Sequence, residues 1–144
     1  MSTYLVVANQ TTTSPRLLEE LRDLARRDPD AEFVLVVPAT PVRDLFFRRS
    51  TEDKADAVAR KHADRGRAHL VRAGLAVVDA RVVSGEPISA VERELRDASY
   101  AGVVISTLHG EHSAWLRMDL PRKVAAIFDG EVRHVEAPPE WAGP

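Results

Sequence analysis

The sequence predicts an α/β fold: an open parallel sheet of five strands with helices on both of its faces. Five short apolar segments, rich in Val, Ile and Leu, alternate with segments in which apolar residues recur at helical spacing. Parallel strands need crossover connections, and because these are right-handed the helices come to cover the sheet. With 144 residues, 44% of them hydrophobic, the chain can bury an ordinary core. We expect a single domain at residues 1–137 and an irregular tail at residues 138–144.

Two buried strands and a helix account for the first part of the chain. Residues 3–8 and 31–37 are apolar on both faces, which is typical of central strands in a parallel sheet. Ser14 is predicted to be the N-cap of the intervening helix, with Pro15 at its first position. The connection after the second strand carries an apolar group at residues 42–47, which we expect to fold back on the domain or to contact a partner.

A long helix with a stripe of small residues is predicted next. Ser50 and Asp53 form a weak capping box at its head, and Gly74 is placed as its C-terminal cap. His62 and His69 lie on the small-residue stripe, where we interpret them as packing residues. The charged residues of this helix have both signs, so we interpret them as a solvated surface and not as a binding patch.

The second half of the chain is predicted to hold three strands and three helical segments. Residues 75–83 interleave charged and apolar side chains, which indicates an edge strand, whereas residues 101–105 are largely apolar. Ser113 can cap a short helix that breaks just before Pro121, where a second helix restarts. Residues 131–136 form the last strand. The helix before the fourth strand is expected to bury Ile88, Val91, Leu95 and Ala98.

Composition excludes several classes of function. A formal net charge of −2 gives no electrostatic basis for binding nucleic acid or an acidic membrane surface. The chain has no cysteine, which excludes thiol catalysis and cysteine-based zinc sites and fits a reducing compartment. No apolar segment approaches the roughly 20 residues that span a bilayer, and the N-terminus lacks the features of a signal peptide. We therefore expect a cytoplasmic protein without nucleic-acid or membrane partners.

Residues 101–113, AGVVISTLHGEHS, carry the clearest functional signal. An apolar strand changes within three residues into small polar and titratable groups, and a helix follows. In open α/β sheets, a loop of this kind helps to form a ligand crevice at the carboxyl ends of the strands. The pattern indicates a binding crevice more clearly than it indicates what is bound.

Several local features accompany this order of elements. They are the turn SGEP at residues 84–87, the strand VVIST at 103–107, the segment WLRMDLPRKV at 115–124 and the short last strand VRHV. With them, the chain resembles the universal stress protein family over almost its whole length. The resemblance implies a sheet of strand order 3-2-1-4-5 and a homodimer formed through the last strand, around Val132 and Val135. Many members of that family bind ATP or another adenine nucleotide, and others do not.

The nucleotide-binding members carry an aspartate after the first strand and a glycine motif after the fourth, where backbone amides approach phosphate. In this sequence the aspartate position holds Asn9, and the first two glycine positions fall near His109 and His112. The final Gly-Ser pair of the motif falls near Met118 and Asp119. Side chains at these positions obstruct a phosphate, so the resemblance implies a degenerate nucleotide crevice.

We therefore predict a non-catalytic binding or regulatory module of the stress response that uses no cofactor. Binding of ATP or AMP, or slow ATPase activity through a variant loop, is the alternative, and a structural partner-binding domain is a third hypothesis. The paired histidines of the fourth loop have no third ligand and its hydroxyls have no oxyanion loop, so neither a metal site nor hydrolytic catalysis is expected. The candidate ligand-binding residues are Asn9, Gln10, Val37, Thr107, His109, Gly110, His112 and Ser113.

Overall fold

A computed structural model describes residues 2–39, 48–110 and 113–141 of the protein. The apolar group predicted at residues 42–47 lies outside these ranges. None of the described helices combines the length and the apolar character that spanning a lipid bilayer requires. In chain order the elements are β1 (Thr3–Val7), α1 (Pro15–Arg27), β2 (Glu32–Pro38), α2 (Arg48–Arg72), β3 (Ala76–Val83), α3 (Pro87–Asp97), β4 (Gly102–Thr107), α4 (Ala114–Arg117), α5 (Leu120–Ile127) and β5 (Glu131–Glu136).

The five strands form one parallel sheet in the order β3-β2-β1-β4-β5. This result confirms the predicted fold class and strand order, and it places β3 at an edge, as its interleaved charges predict. β1 and β4 are neighbours, with Val7 opposite Ile105. Since the chain continues from β1 to β2 on the other side, the strand order reverses between β1 and β4. The residues that follow these two strands therefore emerge at the same end of the sheet.

Two apolar cores lie on opposite faces of the sheet. α1 and α2 cover one face, where Leu21 and Leu70 are fully buried. α3, α4 and α5 cover the other face, through Val91, Trp115 and other residues. In α3 the predicted inner face is correct for Val91, whereas the expectation that Ala98 is buried is wrong. The helix ends at Asp97, so Ala98 no longer follows the helical spacing and is exposed.

The two ends of α2 give opposite outcomes for the predicted caps. The helix begins at Arg48, two residues before Ser50, so the predicted capping box is wrong. Arginine is a strong helix former, and two arginines at 48–49 extend the helix past that serine. The C-terminal cap is confirmed, because Gly74 has a φ of +90°. There the Leu75 amide donates to the Leu70 carbonyl at 3.1 Å, as in a Schellman motif.

Serine residues precede both α1 and α4, yet only one of them caps its helix with its side chain. Ser113 Oγ accepts a hydrogen bond from the Leu116 amide at 3.2 Å, which confirms the predicted cap. Ser14 has the extended N-cap backbone, but its hydroxyl makes no cap hydrogen bond. The predicted break after α4 is confirmed at Asp119, which adopts a left-handed φ of 57°, and Pro121 stands in the first turn of α5.

Candidate functional site

The residues predicted to line a crevice lie where β1 and β4 end side by side. Asn9 follows β1, Thr107 is the last residue of β4, and the loop after β4 leads through Gly110 to Ser113. Of the candidate residues, His112 lies outside the described part of the chain. The others stand at this end of the sheet, so their side-chain contacts decide what the crevice can bind.

Asn9 uses both ends of its side-chain amide within the protein. Its Nδ2 donates to the carbonyl of Pro38 at 2.8 Å. Its Oδ1 accepts a hydrogen bond from Nδ1 of His62 at 2.6 Å. The backbone carbonyl of His62 in turn accepts a hydrogen bond from the hydroxyl of Thr12 at 2.8 Å. Asn9 therefore links the end of β2 to the middle of α2.

The hydroxyls at the end of β4 are also occupied. Ser106 Oγ and Thr11 Oγ1 are 2.6 Å apart and buried, so they hydrogen-bond each other across the end of β1. Thr107 Oγ1 lies 2.8 Å from Nε2 of His134 on β5. Only 1% of the Thr107 surface is exposed. The hydroxyls that the sequence placed in the crevice thus join neighbouring elements to each other.

Both histidines of this network favour the neutral imidazole. Burial lowers the pKa of His62, and the positive charge of Arg65 lowers it further. Burial also lowers the pKa of His134, against an opposing effect from the carboxylate of Glu136. A protonated imidazole attracts an anion through its positive charge and donates hydrogen bonds to it. Because the pKa of each histidine is lowered, either side chain binds an anion less well near neutral pH.

The remaining candidates are of two kinds. His109 is 43% exposed and its Nδ1 lies 3.4 Å from a carboxylate oxygen of Glu136. Among the described residues, no atom outside the adjacent ones lies within 4 Å of a Cβ built at Gly110. The carbonyl of Gly110 accepts a hydrogen bond from the Ser113 amide at 3.4 Å. Val37, by contrast, is fully buried in the core beneath α1 and α2.

Gln10 stands at the exposed rim of the crevice, and the chain's tail contacts it there. Its backbone carbonyl accepts a hydrogen bond from the indole nitrogen of Trp141 at 3.2 Å. This contact holds the described end of the tail against the β1–α1 loop.

Sequence reasoning did not foresee the partners that occupy the crevice. The small-residue stripe of α2 predicts that His62 is a packing residue, and no sequence pattern singles out Glu136. The contact of His134 with Thr107 could have been predicted from the strand order. β5 lies beside β4, and His134 stands opposite Ile105. No spacing rule connects Asn9 with His62, since 53 residues separate them. Among the described residues, no group of three His, Asp or Glu side chains could hold a metal ion.

The arrangement of elements has close counterparts among solved structures. A universal stress protein family structure from Burkholderia pseudomallei superposes with a TM-score of 0.67 at 19% identity, covering 93% of this chain and 95% of that one. A family structure from Arabidopsis thaliana with AMP bound gives a TM-score of 0.68 at 11% identity, covering 96% of this chain and 93% of that one. The chain has the universal stress protein fold.

A third structure with the universal stress protein fold was solved in complex with cAMP. It matches with a TM-score of 0.58 at 18% identity, covering 95% of this chain and 98% of that one. No protein-family model and no curated protein matches the sequence. The likeness therefore concerns the course of the backbone, and what the crevice can bind has to be read from its own side chains.

Proposed function

We propose that the protein is a non-catalytic binding or regulatory module of the universal stress type whose crevice between β1 and β4 does not bind adenine nucleotides. The proposal rests on one observation, which is that the side-chain amide of Asn9 is already hydrogen-bonded within the protein. Its side-chain donor and acceptor are both engaged, with Pro38 and with His62. The position that holds an aspartate in nucleotide-binding relatives is therefore unavailable to a ligand unless both hydrogen bonds break.

The other candidate residues of the crevice support the same proposal. The Thr107 hydroxyl is engaged with His134, and the Ser113 hydroxyl caps α4. The exposed His109 faces the carboxylate of Glu136, which repels an incoming phosphate. A ligand would have to exchange these internal hydrogen bonds for its own, and exchange of one hydrogen bond for another yields little net free energy.

Nucleotide titration tests the proposal directly. A ligand that binds the native state raises its stability by mass action, by about 2.7 kcal/mol at about a hundredfold excess over Kd. We expect millimolar ATP, AMP and cAMP to leave both the melting temperature and the amide NMR signals of Asn9, Thr107 and Gly110 unchanged. The AMP-bound Arabidopsis protein serves as the positive control. Saturable shifts at those three amides would overturn the proposal.

The alternative is that the crevice binds an adenine nucleotide or hydrolyses ATP slowly. It is favoured by the nucleotides in two of the similar structures, one with AMP and one with cAMP. Phosphate release from ATP, measured beside the titration, separates binding from turnover. A variant control is Asn9→Asp, which restores the carboxylate of the relatives. Under our proposal it still fails to bind nucleotide, because the glycine positions remain occupied by side chains.

We also propose a homodimer formed through β5. β5 is an edge strand whose outer side pairs with no described strand. Its Val132 and Val135 are three residues apart and are partly buried against the two cores on opposite faces of the sheet. Such an edge is a ready template for a second copy of the same strand. Sedimentation at high micromolar concentration is expected to give the mass of two chains. A single 15.9 kDa species would contradict the proposal.

A further inference from the structure

A groove beside α2 is lined by arginine side chains, which are absent from the candidate residues of the crevice. It runs between the loop that precedes α1 and the second half of α2, has a volume of about 380 Å³ and shares no residue with the crevice. That volume lies at the small end of the range for ligand sites, about 300–1,000 Å³, and the groove is shallow and largely open to solvent. Its lining residues are Thr13, Asp64, Arg65, Ala68, His69 and Arg72.

The groove is cationic, and its cations have no partner in the described part of the chain. Arg65 and Arg72 are exposed, and neither makes an ion pair or a hydrogen bond with a described side chain. The single carboxylate in the lining is that of Asp64. Residues 60–72 hold five Lys or Arg residues against this one aspartate. Two guanidinium groups seven residues apart on one helix can converge on a single anion.

Two polar atoms in the wall of the groove lack the hydrogen bonds that burial demands. Thr13 Oγ1 and His69 Nε2 are both buried, and neither has a hydrogen-bond partner among the residues described. Buried polar side-chain atoms nearly always have a hydrogen-bond partner, so each of these two atoms needs an explanation, such as a ligand that is bound in solution. The neighbouring Ser14 is 1% exposed and its hydroxyl is likewise unpartnered, so no side chain caps the positive end of α1 beside the groove.

We propose that this groove binds a phosphate group, either free phosphate or a phosphomonoester. A guanidinium group presents a fork of donors that matches an oxyanion, which suits Arg65 and Arg72 to a doubly charged phosphate. The hydroxyl of Thr13 and Nε2 of His69 are shielded from solvent in the wall, and under this proposal each side chain turns toward the phosphate to hydrogen-bond it. The groove and the crevice have no lining residue in common. The proposal for the groove therefore holds whether or not the crevice binds a nucleotide.

Titration with inorganic phosphate and with glycerol phosphate, at fixed pH and ionic strength, tests this site. We expect saturable shifts of the amide signals of Ala68, His69 and Arg72, with the signal of Thr107 unmoved. Tighter binding of the ester than of phosphate identifies a phosphomonoester site, and equal binding identifies a site for free phosphate. Absence of saturation, or movement of Thr107 with the same affinity, overturns the proposal.

Charge variants separate a site from diffuse attraction. Arg65→Gln and Arg72→Gln should each weaken phosphate binding about tenfold, because each removes a charge-assisted pair of hydrogen bonds. Arg67→Gln removes the same charge from the same helix, yet Arg67 does not line the groove, so it should change the affinity less than about twofold. Asp64→Asn should tighten binding. Equal weakening by all three arginine variants would overturn the proposal.

Thr13→Val separates a ligand contact from a structural role. The hydroxyl has no internal partner, so a valine of the same shape should leave folding stability unchanged or raised. Phosphate affinity should nevertheless fall several-fold, because a donor to the anion is lost. A variant that is less stable but binds phosphate as before would show that the hydroxyl serves the fold, and would remove it from the site.

Discussion

The crevice and the groove both adjoin α2, the first at His62 and the second at Arg65, His69 and Arg72, and their polar side chains differ in whether the fold already pairs them. In the crevice Asn9 and Thr107 are paired with histidines of other elements. In the groove Arg65 and Thr13 have no such partners among the described residues. Under our proposals, polar residues at the usual place for a ligand do not by themselves make a site. A polar group is available for a ligand when the fold does not already use it.

Gly66 is the point at which α2 meets the β1–α1 loop, and replacing it has the largest expected effect. A Cβ added there would lie 2.6 Å from Cβ of Thr12 and 3.2 Å from Cδ2 of Leu35. We expect Gly66→Val to lower the free energy of unfolding by about 3 kcal/mol through overpacking, measured by urea denaturation. Both regions depend on this contact, so the variant should disturb the amide signals of both.

The control for Gly66→Val is Gly110→Ala, because no described atom outside the adjacent residues lies within 4 Å of a Cβ built at Gly110. That variant should change stability by less than about 0.5 kcal/mol. An equal loss in the two variants would show that the close approach of α2 to Thr12 is not what limits residue 66.

Asn9→Ala is the second test, and it acts on the crevice alone. The variant removes the bonds to Pro38 and His62, leaving a carbonyl and an imidazole nitrogen without partners. We expect a loss of about 2 kcal/mol in unfolding free energy, in line with the cost of unsatisfied buried groups. Phosphate binding at the groove should persist. If the variant is as stable as the original chain, the Asn9 amide is free for a ligand and the contrast between the two regions fails.

The two N-cap serines give a matched pair with a smaller effect. Ser113→Ala removes a real cap on the crevice side and should cost about 1 kcal/mol. Ser14→Ala removes a hydroxyl that caps nothing and should cost close to zero. Differential scanning calorimetry on the two variants measures the difference. Equal losses of stability would mean that the Ser14 hydroxyl has a hydrogen-bond partner in solution. The polar groups beside the groove would then be paired within the protein, as those of the crevice are.

The fold was predictable because apolar runs and helical spacing are local properties of the sequence. The positions of β1 to β5 and the cap at Gly74 follow from residues close together in the chain. The start of α2 was not predictable from its capping residues, because the helix propensity of the arginines at 48–49 outweighs the cap at Ser50. Ends of helices depend on such small differences in free energy.

The sequence allows the meeting of the candidate residues at one end of the sheet to be predicted, but not their side-chain contacts. Neighbouring parallel strands bring Asn9 and Thr107 to one end of the sheet, which the alternation of elements already indicates. The pairing of Asn9 with His62 depends on how α2 lies over the sheet, which no local pattern encodes. Because the placement of α2 is not visible in the sequence, the mixed charges of this helix predict only a solvated surface. Only the packed structure shows that Arg65 and Arg72 share a groove with Thr13.

The response of stability to pH is the mildest test of the crevice network. Burial lowers the pKa of His62 and of His134, so between the lowered values and 6.5 the unfolded chain binds more protons than the folded one. Stability should therefore be full above pH 6.5 and should fall as the pH drops below it. Urea denaturation at pH 7.5 and at pH 5.5 measures this change, and His62→Gln and His134→Gln should each flatten it. A slope that neither variant alters would mean that these imidazoles are as solvated in the folded chain as in the unfolded one, which would open the crevice to ligands.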